Sequence, residues 1–90
     1  MMLWIIAYDI PLTKRRTKIA ELLEGYGQRV QYSVFECDIE EQKFKELRER
    51  LQKLCKLPED SVRFYPVNLR STVVVWGGEP PLEARTHYTI

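Results

Sequence analysis

The chain is poor in the residues from which soft-metal centres are built. It has two cysteines, Cys37 and Cys55, and one histidine, His87, and their spacing fits no zinc-ligand pattern. Both cysteines read as small buried hydrophobes in a reducing compartment rather than as a disulfide. No apolar run approaches the roughly 20 residues that a membrane helix requires, so a membrane partner is not expected. The opening segment MMLWIIA lacks a basic start and runs straight into Asp9. It therefore reads as a core strand rather than a signal peptide, and a cytoplasmic location is expected. A net charge of +1 carries no global nucleic-acid signature. Repeats, linkers and low-complexity stretches are also missing, which leaves one small domain over 1–90. A domain this small gains stability from association.

What is present is unevenly placed. Between Lys14 and Arg29 there are five basic residues and two acidic ones, so this part can attract phosphate while the whole stays near neutral. Between Glu36 and Asp60 the balance reverses, with eight acidic and six basic residues. Just before the basic stretch an apolar strand over 3–8 ends at Asp9. A carboxylate at a strand end is a natural seat for a hard cation such as Mg²⁺. Lys14, Arg15, Arg16 and Lys18 follow Pro11, and such side chains are natural partners for phosphate. The combination points to phosphodiester chemistry or nucleic-acid binding. The plainer alternative is an Asp that starts a turn, followed by a solvated helix start.

The remaining elements follow from periodicity. A helix is expected over 13–24, with Thr13 as N-cap and Ile19, Leu22, Leu23 and Tyr26 on one face. Gly25 and Gly27 offer its C-terminal stop. Its basic first turn opposes the helix dipole, a small local cost that a functional role would explain. An extended segment over 29–37 alternates until Val34, where Phe35 breaks the pattern and falls on the face of Arg29, Gln31 and Ser33. There it could serve as edge packing, a dimer contact or a base-stacking platform. A second helix over 40–56 carries the stripe Phe44, Leu47, Leu51 and Leu54, with Asp38 and Glu41 at capping-box spacing. Strands over 61–67 and 72–76 follow, and a tail over 86–90 has strand propensity.

Read directly, this order is β-α-β-α-β-β plus a tail strand. It becomes β-α-β-β-α-β if the 29–37 segment bends near Ser33, although no Gly or Pro marks the bend. Either way the class is α+β, with two helices on one face of a mainly antiparallel sheet. The other face would be closed by dimerisation, and the tail could cross to a partner's sheet edge.

The motifs YDI at 8–10, KRRTK at 14–18, RVQYSVFE at 29–36 and SVRFYPV at 61–67 resemble a known family. This is the small CRISPR-associated metal-dependent nuclease that serves as the second universal protein of spacer acquisition. The resemblance implies a ferredoxin-like homodimer acting on RNA and/or duplex DNA beside the CRISPR integrase, to which the tail over 86–90 would add an extra C-terminal strand. By this resemblance Asp9 is the acid that binds Mg²⁺ or Mn²⁺, opposite the same acid of a second subunit. Tyr8, Arg16, Arg29, Ser33 and Phe35 match the other catalytic-site positions, and Lys18 stands where some members carry an arginine. Lys14, Arg15, Arg16, Lys18 and Arg29 form the expected nucleic-acid contact set. His87 lies too far away to act as a base. The competing reading is a non-catalytic dimeric adaptor that binds duplex DNA and scaffolds the integrase. A small-molecule regulator on the same fold would leave the basic stripe unexplained.

Overall fold

A computed structural model describes residues 1–67 and Trp76. The elements run β1 (Met2–Asp9), α1 (Thr13–Glu24), β2 (Gln28–Gln31), β3 (Val34–Ile39), α2 (Glu41–Leu54) and β4 (Ser61–Val67). They form a four-stranded sheet in the order β2-β3-β1-β4, with every neighbouring pair antiparallel. This is the β-α-β-β-α-β arrangement. The strands expected over 72–76 and 86–90, and the link between β4 and the first of them, lie outside the described residues apart from Trp76. No helix among the described residues is long and apolar enough to cross a membrane.

The single extended segment expected over 29–37 is in fact a hairpin. β2 pairs with β3 through a register shift between Arg29 and Gln31, and the chain turns at Tyr32 and Ser33. The reversal needs no positive φ at any non-glycine residue. It accounts for the failed alternation: past the turn the pleat restarts, and Phe35 faces inward with no exposed surface. Register fixes the two faces of the sheet. Trp4 and Ile6 of β1 pair with Cys37 and Phe35 of β3 and with Pro66 and Phe64 of β4. Tyr8 shares their face and, with them, packs on the buried side chains of both helices: Ile19, Ala20 and Leu23 of α1, and Phe44, Leu47 and Leu51 of α2. Trp4 stacks on Phe44 at 3.9 Å between ring centroids, and Phe64 meets Phe44 edge-on at 5.7 Å. Leu3, Ile5, Ala7 and Asp9 point to the other face.

Both helix caps depart from expectation. Leu12 occupies the N-cap position of α1, and Thr13 is the first helical residue. The Thr13 hydroxyl instead accepts from Arg16 Nη2 at 3.0 Å. Asp38 is taken into β3 opposite Leu3, so the capping box with Glu41 does not form, and Glu40 caps α2 without a side-chain bond. Tertiary pairing outweighs a cap worth about 1 kcal/mol. Glu46 and Arg50 meet through a third group: Arg50 Nη1 donates to the Tyr26 hydroxyl at 2.9 Å, and that hydroxyl donates to Glu46.

One glycine is set by close approach. A Cβ on Gly27 would lie 2.2 Å from the Glu36 carbonyl oxygen and 2.5 Å from Cys37 Sγ. Only a residue without a side chain lets β2 enter against β3 here. Both cysteines are free, with Cys37 buried and Cys55 half-buried.

Candidate nucleic-acid site at the end of β1

The C-terminal end of β1, the start of α1 and the β2–β3 turn meet at one end of the sheet. Asp9, paired in register with Ser61, is exposed on the face away from the helices. Among the described residues its carboxylate takes part in no hydrogen bond or ion pair. None of the described residues competes for its oxygens.

Tyr8 points the opposite way. Its hydroxyl donates to the Tyr32 carbonyl at 3.3 Å, and its backbone N–H donates to the Ser33 carbonyl at 3.0 Å. Its ring packs 6.2 Å from that of Phe35. Burial raises the Tyr8 hydroxyl above its ordinary pKa, while the charge and hydrogen bonding of Arg29 pull the other way. Tyr8 therefore pins the hairpin turn to the strand that carries Asp9, and does not contact Asp9 through its side chain.

The expected basic set divides into three. Arg16 is held in place: Nη1 donates to the Ile10 carbonyl at 3.0 Å, Nη2 donates to Thr13, and the guanidinium lies 6.0 Å from the Tyr32 ring centroid. Arg29 is exposed, with its guanidinium 5.4 Å from the Phe35 ring centroid. Lys14 and Lys18 are exposed on α1.

Arg15, the remaining member of the expected contact set, is engaged within the chain. Its Nε and Nη2 donate to the two carboxylate oxygens of Asp60 at 2.6 and 2.8 Å, and Nη2 also reaches Glu59 at 3.0 Å. The Asp60 side chain has no exposed surface, and it also accepts from the Lys56 backbone N–H at 2.8 Å. These bonds hold the Asp60 carboxyl below its usual range, and Arg15 is raised in turn. Arg15 ties α1 to the loop before β4.

Phe35 has no exposed surface in the chain, so its ring lies in the core and not on a face open to a base. It is the floor on which Tyr8 and Arg29 rest. Ser33 contributes its carbonyl to Tyr8. Two residues of this region escape a reading of the sequence. Tyr32 looks like part of an apolar alternation, but the turn leaves it 71% exposed. Asp60 finds Arg15 across 45 positions of chain, and no local pattern announces that pairing.

The family model described as "CRISPR associated protein Cas2" matches residues 1–73. The chain belongs to the Cas2 family. A relative from Synechocystis, "CRISPR-associated endoribonuclease Cas2 3", is 58% identical over 84 residues, spanning 91% of this chain and 90% of its own. A relative from Thermus thermophilus, "CRISPR-associated endonuclease Cas2 2", is 46% identical over 80 residues, 89% of each chain. Among solved structures, a chain of "Partial Cas6-RT-Cas1--Cas2 complex" superposes with a TM-score of 0.70 at 34% identity, covering 77% of this chain and 81% of its own. In this chain the fold places Asp9, unpaired among the described residues, on one face of β1 and Tyr8 with its arginine neighbours on the other.

Proposed function

We propose that this Cas2-family chain is a metal-dependent endonuclease acting on RNA and/or duplex DNA, as a homodimer, beside the integrase in CRISPR spacer acquisition. The observation that carries the reading is the exposed Asp9 carboxylate at the end of β1, unpartnered among the described residues, with Arg16 and Arg29 at the same end of the sheet. The donor chemistry suits Mg²⁺ or Mn²⁺. Mg²⁺ is bound by one or two carboxylates, substrate phosphate oxygens and waters rather than by a full protein cage. No group of three His, Cys, Asp or Glu side chains able to hold a metal occurs among the described residues, and Asp9 stands outside any such cluster there. A second copy would supply the second acid, and Asp9 lies on the face away from α1 and α2, which such a copy would cover. When bound, the ion polarises a phosphoryl oxygen and makes a coordinated water more acidic. Arg16 and Arg29 attract the phosphate backbone and offset charge gathering on it. Tyr8 acts as a positioning residue through the turn it pins.

The deciding experiment compares wild type and Asp9→Asn from identical purifications on matched RNA and duplex DNA, with Mg²⁺, with Mn²⁺ and with EDTA. Asp9→Asn should remain folded and dimeric by sedimentation, and its cleavage should fall to background. Mixed dimers with one substituted chain should lose well over half of the activity. Equal cleavage by Asp9→Asn refutes the site, and equal cleavage in EDTA refutes the metal. The non-catalytic adaptor is the second reading, favoured by the Cas2 chain in a solved complex with Cas1. It is supported if Asp9→Asn leaves integrase binding and spacer acquisition intact while no preparation cuts.

A further inference from the structure

The β2–β3 turn holds an aromatic side chain in solvent. Tyr32 is 71% exposed, yet the backbone that follows it is held by two hydrogen bonds. Its carbonyl accepts from the Tyr8 hydroxyl, and the next carbonyl, that of Ser33, accepts from the Tyr8 N–H. Tyr8 is itself almost fully buried against Phe35, so the turn is anchored to the core. The Arg16 guanidinium flanks the ring, and its own position is set by bonds to Ile10 and Thr13. Arg29 stands on the strand leading into the same turn. An exposed aromatic on a pinned turn, with one placed cation at its ring and a second on the strand leading in, has the parts of a single-strand nucleic-acid platform. Arginines hold the backbone while the ring offers its face to a base. Little ordering would be needed on binding, because the turn and Arg16 are already in place.

We propose that Tyr32 stacks on an unpaired base and gives this chain a preference for single-stranded over duplex nucleic acid. The proposal rests on the nucleic-acid reading given above and adds to it the residue that discriminates between the two forms. Duplex bases are stacked on one another and hide their faces, so the ring has nothing to grip there. The stacking role thus belongs to the exposed Tyr32 and not to Phe35, three residues on and buried. The same register that pairs Ala7 with Val34 continues through the Tyr8–Ser33 bond, so the turn lies beside the strand end that carries Asp9. A base held on Tyr32 would bring its flanking phosphates to the Asp9 end of the sheet.

The test measures binding by fluorescence polarisation in EDTA, so that cleavage cannot consume the probe. The probes are a short single strand, the matching duplex and a single strand with abasic positions, each titrated with wild type, Tyr32→Ala and Tyr32→Phe. Loss of one stacked base should weaken single-strand binding by about 5- to 150-fold in Tyr32→Ala. Duplex binding should be unchanged, and Tyr32→Phe should match wild type. The abasic strand should bind wild type no better than the intact strand binds Tyr32→Ala. Equal binding of both forms by Tyr32→Ala and wild type overturns the stacking role and leaves the nucleic-acid reading standing. A loss that is the same for single strand and duplex also overturns it, since a disturbed turn would act on both. If wild type binds neither probe, the nucleic-acid reading itself falls.

Discussion

Replacing Gly27 with alanine should be among the most damaging single-atom additions this fold can receive. The new Cβ would lie 2.2 Å from the Glu36 carbonyl oxygen, 2.5 Å from Cys37 Sγ and 2.9 Å from Cys37 Cα. Two of these three are backbone atoms of β3, and β3 is held between β2 and β1. It cannot recede without disturbing a pair on its other side. An ordinary contact needs roughly another ångström, so β2 must part from β3 near the Gln28–Glu36 pair. Overpacking of this kind costs about 1–3 kcal/mol, and each lost ladder bond adds about 1 kcal/mol. A loss of about 2–4 kcal/mol is expected, a large share of the stability of a small domain.

Gly25, two residues earlier, supplies the control. It sits in the right-handed helical region with φ −75°, and a Cβ there lies 3.3 Å from its nearest neighbour. Gly25→Ala should fall within about 1 kcal/mol of wild type and can gain from a less flexible unfolded chain. Urea unfolding followed by circular dichroism reads the difference, at one fixed protein concentration because association shifts the midpoint. Replacing Cys37 by Ala in the Gly27→Ala background should restore only part of the loss, since the carbonyl contact remains. If Gly27→Ala unfolds within about 0.5 kcal/mol of wild type, a difference usual for innocuous surface changes, the close approach of the two strands is not real.

Other consequences can be checked with ordinary preparations. Arg15→Met should lower thermal stability without changing the salt slope of nucleic-acid binding, whereas Arg29→Ala should reduce that slope by about one; the reverse pattern would return Arg15 to the phosphate contacts. The Asp60 carboxyl is depressed in the folded chain, so its contribution to stability is complete above the ordinary carboxylate value of 3.8 and is lost as the pH falls through the lower folded value. Wild type should therefore lose more stability than Arg15→Met on acidification below that point, as seen in unfolding midpoints across a pH series. Burial pushes the Cys37 thiol up to about 11, helped by the neighbouring Glu36 charge. Native protein at pH 8 should resist alkylation there until urea is added, and rapid labelling of Cys37 in the folded state would contradict its place in the core.

How much of this could be read in advance depends on whether the signal is local. β1, α1, α2 and β4 carry their periodicities in adjacent residues, and each forms within a residue or two of expectation. The hairpin is less legible because its turn uses Tyr32 and Ser33 instead of Gly or Pro. Its one trace is Phe35 directly after Val34, where the alternation restarts. The caps fail as guides because Thr13 and Asp38 have competing partners: Arg16 one turn on for the first, and for the second the β1 ladder, which exists only after folding. At the site, Asp9 is visible as a strand-end acid. That Arg15 differs in kind from Arg16 beside it is not, since only the folded chain brings Asp60 to one of them.

The pleat of β1 has a consequence for how the chain tolerates change. Tyr8 and Asp9 are neighbours in sequence and opposites in space, one sealed under the helices and the other facing outward. Their division of labour depends on parity, because side chains alternate with a period of two. A substitution in β1 alters one position and leaves the others where they were. Insertion or deletion of one residue before Tyr8, with the ladder otherwise kept, would exchange the two: the acid would enter the core and the tyrosine would come out. Length variation should thus be purged from this strand far more severely than side-chain variation, and where a single-residue change in length survives, an accompanying bulge should restore the count before Tyr8.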